Sequence, residues 1–166
     1  MLVVLSGLPG VGKTTIAREL ARALDAVSIR IDTIEQALRN AGVKVEGEGY
    51  AIAYAVCEDN LRLGRTVVAD CVNPWPLTRN NWHALADRAG AQVVDVEIVC
   101  SDSSEHRRRV ESRSPDIAGH RLPTWTEVVE RDYRPWEGER FIVDTARLNL
   151  AECVKAILSA LHRRRR

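Results

Sequence analysis

The run Gly7-Leu8-Pro9-Gly10-Val11-Gly12-Lys13-Thr14 carries the residue types that hold phosphate. It fits the pattern G-x-x-x-x-G-K-S/T, with Gly7, Gly12, Lys13 and Thr14 at the defining positions. The glycines let backbone N–H groups turn inward around an anion, and Lys13 adds a full positive charge. Thr14 offers a hydroxyl oxygen, and Thr15 continues the same turn. In a chain of 166 residues this pattern arises by accident well under about 1% of the time. The chemistry it serves is the binding of a nucleoside triphosphate.

Three further sets of residues bear on what happens to that phosphate. Thr66-Val67-Val68-Ala69 is a hydrophobic, β-branched segment that finishes in the carboxylate of Asp70. Mg²⁺ takes oxygen ligands and keeps several waters, so Asp70, Thr14 and phosphate oxygens suffice to hold it. Asp32 ends another apolar segment, and a carboxylate there can orient an acceptor hydroxyl and take its proton; it can equally cap the helix that follows. Arg109 and Arg113 stand four apart on a short basic helix, where two guanidiniums can meet the charge that builds on a phosphoryl group in transfer. A solvated basic face, offset by Glu105 and Glu111, is the plainer reading of the same residues. Asn73 and Arg79, just after Asp70, are candidates to hold the acceptor or its anionic group.

The elements that must position these groups alternate between strand and helix. Leu2 to Leu5 is an apolar strand before the glycine loop, and Ile16, Leu20, Ala23 and Leu24 recur at helical spacing after it. Strands follow at 26–31, 66–69, 92–100 and 140–143, with helices over 33–40, 50–63, 77–89, 105–113, 125–134 and 151–161. Residues 114–124 lose all periodicity and read as a mobile loop. Such alternation predicts a parallel, doubly wound α/β sheet with helices on both faces, where ligands bind outside the carboxyl ends of the strands. Three strands stop at an aspartate on that rim; Asp144, away from the chemistry, reads as structural.

Composition excludes several classes. A hydrophobic fraction of 45%, a charged fraction of 28% and a net charge of +1 describe an ordinary globule with no global pull on nucleic acid. The terminal Arg163 to Arg166 reads as a solvated helix end. Cys57, Cys71, Cys100 and Cys153 form no C-x-x-C pair, and the histidines show no ligand spacing, so no zinc or disulfide framework is expected. No apolar run reaches membrane-spanning length, and the first strand begins at residue 2, which leaves no room for a presequence. A cytoplasmic enzyme of one domain, residues 1–166, is the expectation.

On the phosphate loop, the strand-end Asp32, the Asp70-x-x-Asn73 segment and the arginines before the irregular loop, the chain resembles the small P-loop kinases of the adenylate-kinase-like group. That group includes gluconate, shikimate, adenylylsulfate, polynucleotide and zeta-toxin-type kinases. The resemblance implies a three-layer P-loop fold with a five-stranded parallel sheet of order 2-3-1-4-5 and a short lid over about residues 107–135. It implies ATP held by residues 7–15 with Arg109 over the adenine, Mg²⁺ at Thr14 and Asp70, and an acceptor met by Asp32, beside which Asn73 and Arg79 remain the candidates read from the residues themselves. Lys13, Asp32 and Arg113 would serve transfer to a small-molecule hydroxyl. Only about 35 residues separate the second and third strands, so there is no large inserted substrate domain, and no signature names the acceptor. A polynucleotide 5′-kinase and a nucleotide-dependent switch without an acceptor remain the alternatives.

Overall fold

The computed structural model describes residues 1–164; Arg165 and Arg166 of the basic terminus lie outside the described residues. Five strands, β1 (Leu2–Ser6), β2 (Val27–Arg30), β3 (Val67–Asp70), β4 (Val93–Val99) and β5 (Phe141–Asp144), form one parallel sheet in the order β2-β3-β1-β4-β5. This is the predicted topology. The helices are α1 (Lys13–Leu24), α2 (Ile31–Asn40), α3 (Glu48–Arg62), α4 (Pro76–Arg88), α5 (Ser103–Ser112), α6 (Trp125–Val129) and α7 (Leu150–Arg164).

The period of two in β1 divides the core. Val3 and Leu5 point to one face and pack with Ile16 and Leu20 of α1 and Ile157 and Leu161 of α7. Leu2 and Val4 point to the other and meet Ala53 and Leu61 of α3 and Trp82 and Leu85 of α4. A strand buried on both faces must read as an unbroken apolar run, which is what Leu2 to Leu5 does. Cys71, Cys57 and Cys153 are buried in this core as small apolar residues, and Cys100 is half-buried.

Several boundaries differ from the sequence reading for physical reasons. α2 starts at Ile31, immediately after β2, so Asp32 sits inside the first helical turn instead of ending a strand or capping the helix. An acidic side chain there faces the positive end of the helix dipole. α6 stops at Val129, five residues short of the expected end, and residues 131–136 run instead across the end of α4. α5 ends at Ser112, so Arg113 is its C-cap residue, in extended backbone, and does not share a helical face with Arg109. Residues 113–124 contain no helix or strand. Among the described residues no helix is long and apolar enough to cross a membrane.

Candidate active site

The loop between β1 and α1 is shaped by three glycines at positive φ, Gly7 (141°), Gly10 (87°) and Gly12 (99°). Gly12 precedes the first turn of α1 in the left-handed conformation, and no side chain caps that turn. Uncapped N–H groups at a helix start are donors for an anion. α5 fixes the loop from above: His106 Nε2 lies 2.8 Å from the Pro9 carbonyl, and a Cβ on Gly10 would stand 2.5 Å from Val110 Cγ2. Thr145, just past β5, ties the far side, with Oγ1 2.9 Å from the Val11 carbonyl.

Lys13 is buried and donates to the Leu8 carbonyl at 2.9 Å, so its ammonium lies folded over the loop it belongs to. Burial pushes its pKa down, against the attraction of Asp70 and Asp32. Thr14 Oγ1 donates to Asp70 Oδ2 at 2.6 Å. Parallel pairing of β1 with β3 sets Asp70 opposite Leu5, which puts its carboxylate beside the start of α1. Burial pushes the Asp70 carboxyl up, opposed by Lys13 and the Thr14 hydroxyl. A hydroxyl and a carboxylate in contact, hard oxygens both, next to a phosphate cradle are a donor set that fits Mg²⁺.

A cleft of about 1190 Å³ runs from this loop toward β2, lined among others by Lys13, Thr14, Asp32, Asp70, Arg109 and Arg113. Asp32 is half-exposed there, with Arg30 Nη2 at 3.7 Å and His120 Nε2 at 4.0 Å. Arg113 enters from the end of α5; its Nε is buried without a hydrogen-bond partner, and burial lowers its pKa. Arg109 lies on the β5 side, donating to Glu105 at 2.7 Å, to Thr145 Oγ1 at 2.8 Å and to the Thr145 carbonyl at 3.0 Å. Thus Lys13, Thr14, Asp32, Asp70, Arg109 and Arg113 gather in one cleft.

Asn73 and Arg79 do not join them. Asn73 is fully buried with φ 53°, its side chain donating to Ser6 Oγ at 3.0 Å and its backbone N–H to the Tyr50 hydroxyl at 2.9 Å. It braces β1 against the segment after β3. The expectation that Arg79 holds the acceptor is corrected: its guanidinium is buried and donates to the carbonyls of Asn73, Pro74, Arg134 and Pro135. It also lies 4.1 Å from the centroid of the Trp136 ring. All three of its nitrogens donate to backbone carbonyls, Nε and Nη2 to the turn before α4 and Nη1 and Nη2 to residues 134–135, so the guanidinium ties those segments together. Asp144 is structural, accepting from the Ser101 and Ala146 N–H groups at 3.0 Å each.

Sequence reading missed Arg30, Arg18 and Asp116. Arg30 ends β2 opposite Asp70 and donates to Asp116 at 2.8 and 3.0 Å. A cation closing an apolar strand two residues before Asp32 was a visible signal; its partner, 86 residues on, was not.

A family model described as "AAA domain" (AAA_33) matches residues 2–131, most of the chain. The chain belongs to that family. Among curated proteins, this AAA-domain chain is similar to a "Probable adenylyl-sulfate kinase" of Aeropyrum pernix, 26% identical over 155 residues, which span 87% of this chain and 83% of that one. Among solved structures, a putative kinase from Chloroflexus aurantiacus superposes with a TM-score of 0.73 at 18% identity, covering 97% of this chain and 95% of the other. The Mycobacterium tuberculosis APS kinase CysC, in complex with AMPPNP and APS, superposes at 0.70 and 17% identity, covering 97% and 96%. The resemblance to the small P-loop kinases therefore holds for the fold.

Proposed function

We propose that this AAA-domain chain is an ATP- and Mg²⁺-dependent kinase that transfers the γ-phosphoryl group to a hydroxyl of a small-molecule acceptor. The observation that carries this reading is the contact between Thr14 and Asp70 at the start of α1, with Asp32 and Arg113 facing the same cleft. The relative named as a probable adenylyl-sulfate kinase supports phosphoryl transfer to an alcohol rather than hydrolysis.

The loop amides and Lys13 would take the β- and γ-phosphates, and Arg109 would lie against the purine on the β5 side. Thr14 and Asp70 would hold Mg²⁺, which neutralises charge on the phosphate oxygens. The acceptor would enter from the β2 side. Asp32, half-exposed and approached by Arg30 no nearer than 3.7 Å, would accept the hydroxyl proton as the acceptor oxygen bonds to the γ-phosphorus and the bond to the β–γ bridging oxygen breaks, releasing ADP. Arg113, its Nε unpartnered, would donate to the phosphoryl oxygens as charge builds. Residues 107–135, working as a lid, would exclude water, which a kinase must do to avoid hydrolysing its nucleotide.

The test is transfer from γ-labelled ATP with Mg²⁺ to pooled sugars, sugar acids, nucleosides, antibiotics and adenylylsulfate. The parent should yield a labelled product and Lys13→Ala none. Asp32→Asn should keep ATP affinity and lose transfer by about a hundredfold or more, the usual range for a general base. Equal transfer rates for Asp32→Asn and the parent would remove Asp32 from the chemistry.

A further inference from the structure

One carboxylate in the acceptor half of the cleft belongs to no catalytic step. Asp116 comes from residues 113–124, which contain no helix or strand, and reaches across to the sheet. Its two oxygens accept from Arg30 Nη1 at 2.8 Å and Nη2 at 3.0 Å, a bidentate grip, and Oδ2 also accepts from Arg18 on α1. Arg30 is otherwise uncommitted: its approaches to Asp32 and Asp70, at 3.7 and 3.8 Å, are longer than hydrogen bonds, and its Nε is buried with no partner. The guanidinium fork has the shape that matches a carboxylate, sulfate or phosphate edge-on.

The position of this fork matters. Arg30 pairs in register with Asp70, on the β2 side of the phosphate loop, and Asp32 is two residues further along the chain. Arg109 and the purine side of the kinase reading lie across β1 at β5. Arg18 and Arg30 are therefore placed to meet the acceptor and not the nucleotide base. The arginine side chains differ in burial, Arg30 being 16% and Arg18 52% exposed, while Asp116 is 41% exposed. The bidentate grip of the sheltered Arg30 holds Asp116 firmly and keeps its carboxyl well below the usual carboxylate range, although that carboxylate belongs to a segment with no regular structure. Only an oxyanion that remakes the same charge-assisted hydrogen bonds can offset the loss of Asp116, which selects for a carboxylate, sulfate or phosphate group.

We propose that Arg30 and Arg18 form an oxyanion subsite for the acceptor, and that Asp116 is an internal carboxylate that fills it until an acceptor bearing a carboxylate, sulfate or phosphate group displaces it. The acceptor is then a hydroxyl compound with an anionic group beside the reacting oxygen, and its binding releases the 113–124 segment from the sheet. This rests on the kinase reading above, and deepens it.

The experiment separates the two. Protein saturated with Mg²⁺ and AMPPNP, which fills the phosphate loop, is titrated calorimetrically with sulfate, inorganic phosphate and acetate in turn. Asp116→Asn should bind at least one of these about tenfold more tightly than the parent, since the internal competitor has lost its charge. Arg30→Gln should lose that binding about tenfold or more while AMPPNP affinity is unchanged, and Arg18→Gln should show a smaller loss, because Arg18 makes the more exposed contact. The three probes distinguish a tetrahedral from a planar anion preference. Equal anion affinity in the parent, Asp116→Asn and Arg30→Gln, with AMPPNP still bound, would overturn the subsite and leave the kinase reading standing. Absence of AMPPNP binding in the parent would overturn both. Once an acceptor is identified in the pooled assay, Arg30→Gln should raise its KM about tenfold with the KM for ATP unchanged. Efficient transfer to a neutral acceptor, indifferent to Arg30→Gln, would also overturn the subsite.

Discussion

Asp70 is held in a position that costs the protein stability. Its carboxyl is pushed up by burial, more than Lys13 and Thr14 pull it down, so the ionised form is worse placed in the fold than in water. An acid with a raised folded pKa is neutral in both states below about pH 4, the unfolded value, and weakens the fold as pH rises above it. Asp70→Asn should therefore match the parent in stability near pH 3–4 and exceed it at pH 7, in denaturant unfolding without nucleotide. The same variant should lose Mg²⁺-dependent transfer by about a hundredfold or more, since metal-borne charge stabilisation amounts to several kcal/mol. A variant less stable than the parent at pH 7 would mean that the attraction to Lys13 outweighs burial. Opposing changes in stability and transfer would be the signature of a carboxylate kept for chemistry.

At the level of the elements, the phosphate loop depends on how closely β4 and α5 approach it. Gly7 has φ 141°, and a Cβ there would stand 2.2 Å from the Ile98 carbonyl oxygen, which is backbone and cannot swing away. Gly64, after α3, has φ 77° with nothing within 4 Å. Gly7→Ala should cost about 3 kcal/mol or more, by strain and steric overlap together, and Gly64→Ala only about 1–2 kcal/mol, by conformation alone. Urea unfolding of the two variants checks this; equal losses would show that the loop can shift away from β4. Such contacts explain what the sequence made legible. The strand-loop-helix pattern around residues 2–24 announced itself, because apolar period and glycine spacing are local. Arg79 could not be read that way. Its place on an amphipathic helix looks the same whether it faces solvent or, as here, carbonyls 55 and 56 residues away. The place of Asp32 inside α2 lay beyond local reading for another reason, since β2 passes into α2 with no connecting turn and no side-chain cap to mark the boundary.

Across the whole molecule, the strand order brings the working residues to one rim. β1 ends at the phosphate loop, β3 at Asp70 and β2 at Arg30, so one parallel sheet sets these groups in sequence along its carboxyl edge, the order the proposed nucleotide, metal and acceptor sites require. That much followed from the alternation of elements; the link from the 113–124 segment to Arg30 did not, because it joins groups 86 residues apart. The net charge of +1 spreads no basic field over the surface, in keeping with a small acceptor in place of a polynucleotide. The cleft also has a thermodynamic consequence. Nucleotide would touch α1, α5 and the turn after β5 together, groups that are adjacent only when the sheet is assembled, so it should bind the folded chain alone. Mg²⁺ with AMPPNP at one hundred times its Kd should then stabilise the protein by about 2.7 kcal/mol. For a chain of this size that is a rise in Tm of roughly 5–10 °C. Lys13→Ala should show most of that rise abolished in the same thermal scan, whereas Asp32→Asn should retain it, because on the proposed reading Asp32 would meet the acceptor and not the phosphates. A parent Tm unmoved by saturating Mg²⁺ and AMPPNP would contradict the placement of nucleotide in this cleft.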